Sequence, residues 1–201
     1  MNSQRVARLV TDAVVRMPVL WRVLRGRTRG MFDQLAPTWE TRIGPHHVAA
    51  MQLALDTLPP SRRVLDLGTG TGVAAAAVAR RYPEAEVVAV DLSPGMIAEA
   101  QRQLPPELGS RVRFQVGDAA HLPFEDGAFE LVTLANMIPF FDELARVTAH
   151  GGAIVFSFSR GPETPIYVQA QRLRNELGRR GFAQFADFAA GPATALLARK
   201  G

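Results

Sequence analysis

Arg63-Val64-Leu65-Asp66-Leu67-Gly68-Thr69-Gly70-Thr71-Gly72-Val73-Ala74-Ala75-Ala76 joins a short aliphatic run to three alternating glycines and then to an alanine-rich segment. The order predicts a strand, a tight loop and a helix. Glycines suit that loop because it must take positive φ angles and let a ligand touch bare backbone. The first amides of the helix are then free to face an anion.

A glycine loop is a weak signal until its surroundings are read. Val87-Val88-Ala89-Val90-Asp91 is a β-rich run ending in an acid 23 positions beyond Gly68, near the spacing of roughly 20 expected for a ribose-binding carboxylate. Two details separate the pattern from a dinucleotide site. The third glycine comes early, at Gly72, and Val73 holds the place that the dinucleotide fingerprint gives to glycine. Asp66 also stands just before the loop, where a carboxylate repels a pyrophosphate and favours an amino group.

A ligand with an ammonium, a carboxylate, a ribose and a base fits these features, and S-adenosylmethionine is such a ligand. The chain here resembles the class I S-adenosylmethionine-dependent methyltransferases, most closely the branch that includes the ubiquinone and menaquinone biosynthesis enzymes. The likeness rests on Val64 to Gly72, on Val90-Asp91-Leu92-Ser93-Pro94-Gly95-Met96, and on Gly117-Asp118-Ala119-Ala120-His121-Leu122-Pro123-Phe124. It runs from about Met31 to the C-terminus.

The resemblance implies roles. Gly68, Thr69 and Gly70 offer backbone to the methionine portion, and Asp66 orients its amino group directly or through water. Asp91 binds the ribose hydroxyls, while Leu92 and Met96 pack on adenine. Asp118 accepts from the adenine amino group, Ala119 reads a ring nitrogen, and Asn136 lies where the methionine end meets the acceptor. Three carboxylates and a bare loop are thus expected along one rim. Taken alone, Asp91 or Asp118 reads as a loop cap or turn former.

With 201 residues and 47% hydrophobic content, one globular unit is expected, divided as a basic helical arm at 1–30 and a methyltransferase domain at 31–201. Strands alternating with helices predict an α/β, Rossmann-like parallel sheet covered on both faces, closed by an antiparallel C-terminal strand. Cysteine is absent, which excludes disulfides and thiolate chemistry and is compatible with a cytoplasmic enzyme. No run of eighteen apolar residues suggests a membrane span, and the arm lacks the features of a secretory signal. No metal-ligand cluster and no aromatic-rich basic groove is apparent, so neither a metal nor a nucleic-acid partner is expected.

The net charge of +4 is unevenly placed: residues 1–30 hold seven arginines against Asp12, leaving the remainder acidic. Val6, Leu9, Val10, Ala13, Val14 and Met17 recur at helical spacing, Pro18 interrupts, and Leu20, Trp21 and Leu24 continue the face before Gly26. Such a helix packs on the domain or on a second subunit, as in a homodimer, or lies on an acidic membrane surface or lipid-like substrate. Deletion of residues 2–28 is expected to spare cofactor binding. In the resembled family, a segment like Phe32-Asp33-Gln34-Leu35-Ala36-Pro37 helps close the pocket, and Trp39 either lines it or fills the core.

His46 and His47 are placed at the start of a helix running to Leu58. A helix near Phe140–Thr148 is expected to stop at His150-Gly151-Gly152, before a strand from Ala153 to Ser159. Of the four histidines, His121 reads as structural and His150 as surface, while His46 and His47 remain candidates for a general base. No catalytic residue is assigned. The expected activity is methylation of a small acceptor, apolar or polar, at oxygen, carbon or nitrogen. The rivals are a cofactor-binding module without turnover and an NAD-linked oxidoreductase, which Val73 and the early Gly72 disfavour.

Overall fold

A computed structural model describes residues 3–42, 44 and 47–201. Its centre is a seven-stranded sheet in the order β3-β2-β1-β4-β5-β7-β6. The strands are β1 Arg63–Leu67, β2 Glu86–Asp91, β3 Val112–Val116, β4 Phe129–Ala135, β5 Thr148–Phe158, β6 Phe182–Ala190 and β7 Ala193–Lys200. The first five pair in parallel, and β7 runs antiparallel to both β5 and β6. The strand order reverses between β1 and β4, so a crevice opens beyond their carboxyl ends, where the glycine loop leaves β1.

Alternation along the strands sends successive side chains to opposite faces. Leu65, Val88, Val132, Ile154 and Leu196 pack on one side with α6 Phe141–Val147, α7 Ala170–Gly178 and the arm's Val14, Val15 and Trp21. Val64, Val87, Leu131, Val155 and Leu197 face α3 Ala49–Asp56 and α4 Val73–Arg81 on the other. α5 Pro94–Gln103 begins with the Ser93 hydroxyl accepting from the Met96 amide at 3.0 Å, a side-chain cap that satisfies one free amide.

The arm is α1 Ser3–Arg16, a 3-10 turn at Pro18–Leu20 and α2 Trp21–Leu35. Pro18 breaks the helix as expected, but Gly26 does not end the second one. α2 passes through Gly26 and Gly30, and so through the boundary expected at residue 30. His47 precedes a helix that begins at Ala49; Pro45 and His46 lie outside the described residues. The expected stop at His150-Gly151-Gly152 is also corrected, because β5 already begins at Thr148. There Gly151 takes φ 73°, and the ladder with β4 shifts register between Phe129 and Leu131. A helix stop and a strand irregularity ask for the same residue, so the sequence alone does not separate them.

The third loop glycine has a packing reason. Gly72 is the N-cap of α4 in the left-handed region, at φ 86°, and a Cβ there would lie 2.9 Å from Phe114 Cζ and 3.3 Å from Ala100 Cβ. Gly72→Ala is therefore expected to destabilise the protein by about 1–3 kcal/mol through backbone strain and overpacking, measured by chemical denaturation. An unchanged midpoint would show that the loop relaxes without cost.

Candidate functional site

At the carboxyl end of β1, the Gly68 and Thr69 amides both donate to the Val90 carbonyl, at 2.8 and 3.1 Å. The Gly70 amide donates to Asp91 Oδ2 at 2.9 Å, and Asp91 Oδ1 accepts from the Ser93 amide at 2.9 Å. The loop is thereby hung from the end of β2. Burial raises the Asp91 pKa, and the amides of Ser93, Gly70 and Leu92 oppose that rise.

Above this loop is a cavity of about 690 Å³, within the roughly 300–1,000 Å³ usual for small-molecule sites. Gly68, Thr69, Gly70, Asp91, Leu92, Met96, Ala119 and Asn136 all line it. The structure therefore brings together eight of the ten residues singled out in the sequence.

Asp66 and Asp118 stand apart from that wall. Asp66 is fully buried beneath the loop, with Oδ1 accepting from Thr133 Oγ1 at 2.7 Å. Oδ2 has no hydrogen-bond partner among the described residues, and neither has the buried Thr69 Oγ1. Burial raises the Asp66 pKa to about 6, against the lowering influence of the Thr133 hydroxyl. An unpaired carboxylate oxygen beside a bare loop is a place for a cation or a water that bridges to one.

Asp118 is held by the arm. Its Oδ1 accepts from Trp21 Nε1 at 2.8 Å and from the Ala120 amide at 3.0 Å, and Arg25 approaches Oδ2 at 3.3 Å. Gly117 and Ala119 line the cavity while Asp118, between them, does not. The expected single rim of three carboxylates is thus reduced to Asp91 at the wall and two supports behind it.

Phe32 and Trp39 line the cavity, as the segment's resemblance implies. Sequence reading missed how much more of the wall the arm supplies, through Ala7, Trp21, Thr28, Met31 and Leu35. Phe32 and Trp39 meet edge to face with centroids 5.6 Å apart, and a Cβ on Gly70 would lie 3.3 Å from Trp39 Nε1. Asp33 Oδ1 accepts from Ser93 Oγ at 2.6 Å and from the Gly95 amide at 3.0 Å. Those bonds lower the Asp33 pKa, while Thr71 donates its hydroxyl to Glu40. Trp21 and Thr28 form part of the wall, so deletion of residues 2–28 is expected to weaken cofactor binding rather than spare it.

The far end of the cavity is polar. Asn136 takes φ 52°, the sole positive value outside glycine among the described residues, and its side chain meets His47 and Ser159. Burial lowers the His47 pKa, and nearby Glu40 opposes it.

Residues 64–152 match the protein family described as "Methyltransferase domain". The chain is 45% identical over 113 residues to a demethylmenaquinone methyltransferase of Thermus thermophilus, covering 53% of this chain and 50% of that one. It is 44% identical over 110 residues to a malonyl-[acyl-carrier protein] O-methyltransferase of Halorhodospira halophila, covering 51% and 36% respectively. The chain thus spans half or less of these relatives. A structure of a SAM-dependent methyltransferase from Aquifex aeolicus superposes with a TM-score of 0.66 at 16% identity, covering 81% of this chain and 96% of that one, which is a likeness of fold.

The fold is thus Rossmann-like and similar to that of a SAM-dependent methyltransferase, and residues 64–152 match a methyltransferase domain. In sequence the chain is similar to a demethylmenaquinone methyltransferase, as its loop motifs imply. The site fits the cofactor on its own terms: bare peptide at the floor, an orphaned buried carboxylate oxygen beneath it, and an acid at the tip of β2.

If Asp66 faces the cofactor's ammonium, binding favours its ionised form. Affinity is then expected to rise as pH increases through about 6, with protons released on binding near that pH. Without ligand the sign is opposite: a raised carboxyl pKa makes stability fall as pH rises from 3.8 through about 6. Titration calorimetry and denaturation across this range check both, and Asp66→Asn is expected to flatten both slopes, leaving in the stability slope the share of Asp91, which burial also raises. Slopes unchanged in that variant would assign them to another group.

Proposed function

We propose that this protein transfers the methyl group of S-adenosylmethionine to a small acceptor whose body is apolar and which bears an oxygen. The single observation that carries the reading is the Gly70–Asp91 bond on the wall of an apolar cavity closed by aromatic side chains. Asp91 keeps acceptor capacity for a ribose diol while its carboxylate fixes the loop. Leu92, Met96 and Ala119 offer apolar surface to a base, and Asp118 acts through Trp21, which it orients. The cofactor supplies an activated methyl group. The protein's part is alignment and exclusion of water, and alignment alone contributes roughly 7–11 kcal/mol in favourable cases.

The relatives' names suggest acceptors that are quinones or carboxylates on an acyl carrier, and a cavity with one polar end suits a ring or chain bearing oxygen. Calorimetry is expected to show S-adenosylmethionine binding in preference to NAD, followed by methyl incorporation into an acceptor in a metabolite screen. Binding without turnover on any acceptor would favour the silent module. Asp91→Asn is expected to weaken cofactor binding about ten-fold or more, the scale of a lost hydrogen bond to a charged group; unchanged affinity would remove Asp91 from the site.

The arm supports a second reading, that its outer face docks on an anionic membrane surface in the cytoplasm. No described helix is long and apolar enough to cross a membrane, yet Leu9, Val19 and Val23 are 61%, 59% and 82% exposed, on an arm that carries seven arginines. Apolar side chains interleaved with arginine fit an interfacial helix. Sedimentation with phosphatidylserine vesicles is expected to recover the protein, less so at high salt or after Val23→Asp. No recovery, together with a dimer in light scattering, would make the same face a subunit interface.

A further inference from the structure

The side chains of His47, Asn136 and Ser159 meet at the polar end of the cavity, and all three line it. Asn136 is held at φ 52°, in the left-handed region that asparagine tolerates better than most residues. Its Oδ1 accepts from the Ser159 backbone amide at 2.9 Å. That contact fixes which way the amide points, because a reversed side chain would set two donors against each other.

The Asn136 Nδ2 hydrogens are then assigned: one goes to Ser159 Oγ at 3.0 Å and the other to His47 Nδ1 at 3.2 Å. Nδ1 must therefore accept. In neutral imidazole the nitrogen that accepts carries no proton, so the proton sits on Nε2. We infer that His47, held in this form by Asn136, presents an Nε2–H donor to an oxygen of the methyl acceptor, and that the acceptor class is one that arrives as an oxyanion. The inference rests on the methyltransferase reading of the same cavity and names its acceptor chemistry.

With its proton on Nε2, His47 has no lone pair there with which to act as a base, so the sequence-level candidacy of His47 for general base is replaced by a donor role. The chemistry then balances without a base. The oxyanion's electron pair forms the oxygen–carbon bond to the methyl as the carbon–sulfur bond breaks, and the electrons of the broken bond stay on sulfur. An anion and a sulfonium become two neutral products, and no proton moves. Nearby Glu40 favours protonation of the ring, and Arg42 and Arg160 line the same cavity. The two guanidiniums suit an anionic acceptor.

The full chain labelled with ¹⁵N-histidine tests the tautomer without cofactor or acceptor, the His47 signals being assigned by their loss in His47→Gln. The expected pattern at neutral pH is protonated Nε2 and bare Nδ1; protonated Nδ1 would overturn the inference. Binding of 4-nitrophenolate, with uncharged 4-nitroanisole as control, tests the donor. His47→Leu is expected to weaken the phenolate about ten-fold, the scale of one hydrogen bond to a charged group, and to leave the anisole within two-fold. His47→Gln, which keeps an N–H, is expected to recover most of the loss. Equal losses for both probes would reduce His47 to a packing role. Neither readout needs S-adenosylmethionine, so its failure to bind would refute the methyltransferase reading separately.

Discussion

One carboxylate, Asp91, anchors the geometry of the site. Its two oxygens accept amides from opposite sides, Gly70 on the loop after β1 and Ser93 on the loop after β2, so two separate connections are held as one surface. Two further amides of the glycine loop donate to the Val90 carbonyl, which makes the end of β2 the hook for the whole loop. Burying a charge there is costly, and the hydrogen bonds offset that cost. The arrangement explains why an acid is wanted at this place in the fold even before any ribose is considered.

The arm buries Val14, Val15 and Trp21 against the sheet, and its side-chain hydrogen bonds reach this same surface. Trp21 donates to Asp118, Asp33 receives Ser93 and Gly95, and Glu40 receives Thr71. Each partner on the domain side follows one of the first three strands or belongs to the glycine loop. At the other end Arg8 donates to the Pro162 and Thr164 carbonyls beyond β5. Between β5 and α7 the described residues form only a 3-10 turn at Gly161–Glu163, and the arm reaches the cavity wall beside it.

The sequence made the central sheet and the cofactor loop legible because both depend on local pattern: β-rich runs, alternate glycines, and acids at fixed distances from them. Leu92, Met96 and Ala119 were readable for the same reason, being adjacent to those acids. Two kinds of feature were not. Gly26 and Gly151 look like helix stops, yet Gly26 sits in a continuous helix and Gly151 in a strand irregularity, since tertiary packing overrides a weak local preference. The pairing of Trp21 with Asp118 spans 97 residues and leaves no trace in periodicity. Asp118 was placed on the right loop, but its lone pairs had a nearer claimant.

That last contact bears on how the cavity is regulated by its own cover. Because the arm's hydrogen bonds end on the loops that form the site, ordering the arm and ordering those loops are not independent events. Any ligand that binds only when the loops are set must also stabilise the docked arm, and by reciprocity anything that stabilises the docked arm must raise affinity for that ligand. A surface that drew the arm outward would act in the opposite sense, through loss of the Trp21 and Asp33 contacts. The sign of that coupling therefore depends on whether Trp21 and Asp33 keep their partners while Val19 and Val23, both exposed on the arm's outer face, are engaged. Since those two valines point away from the cavity wall, a partner can cover them without unfastening the arm.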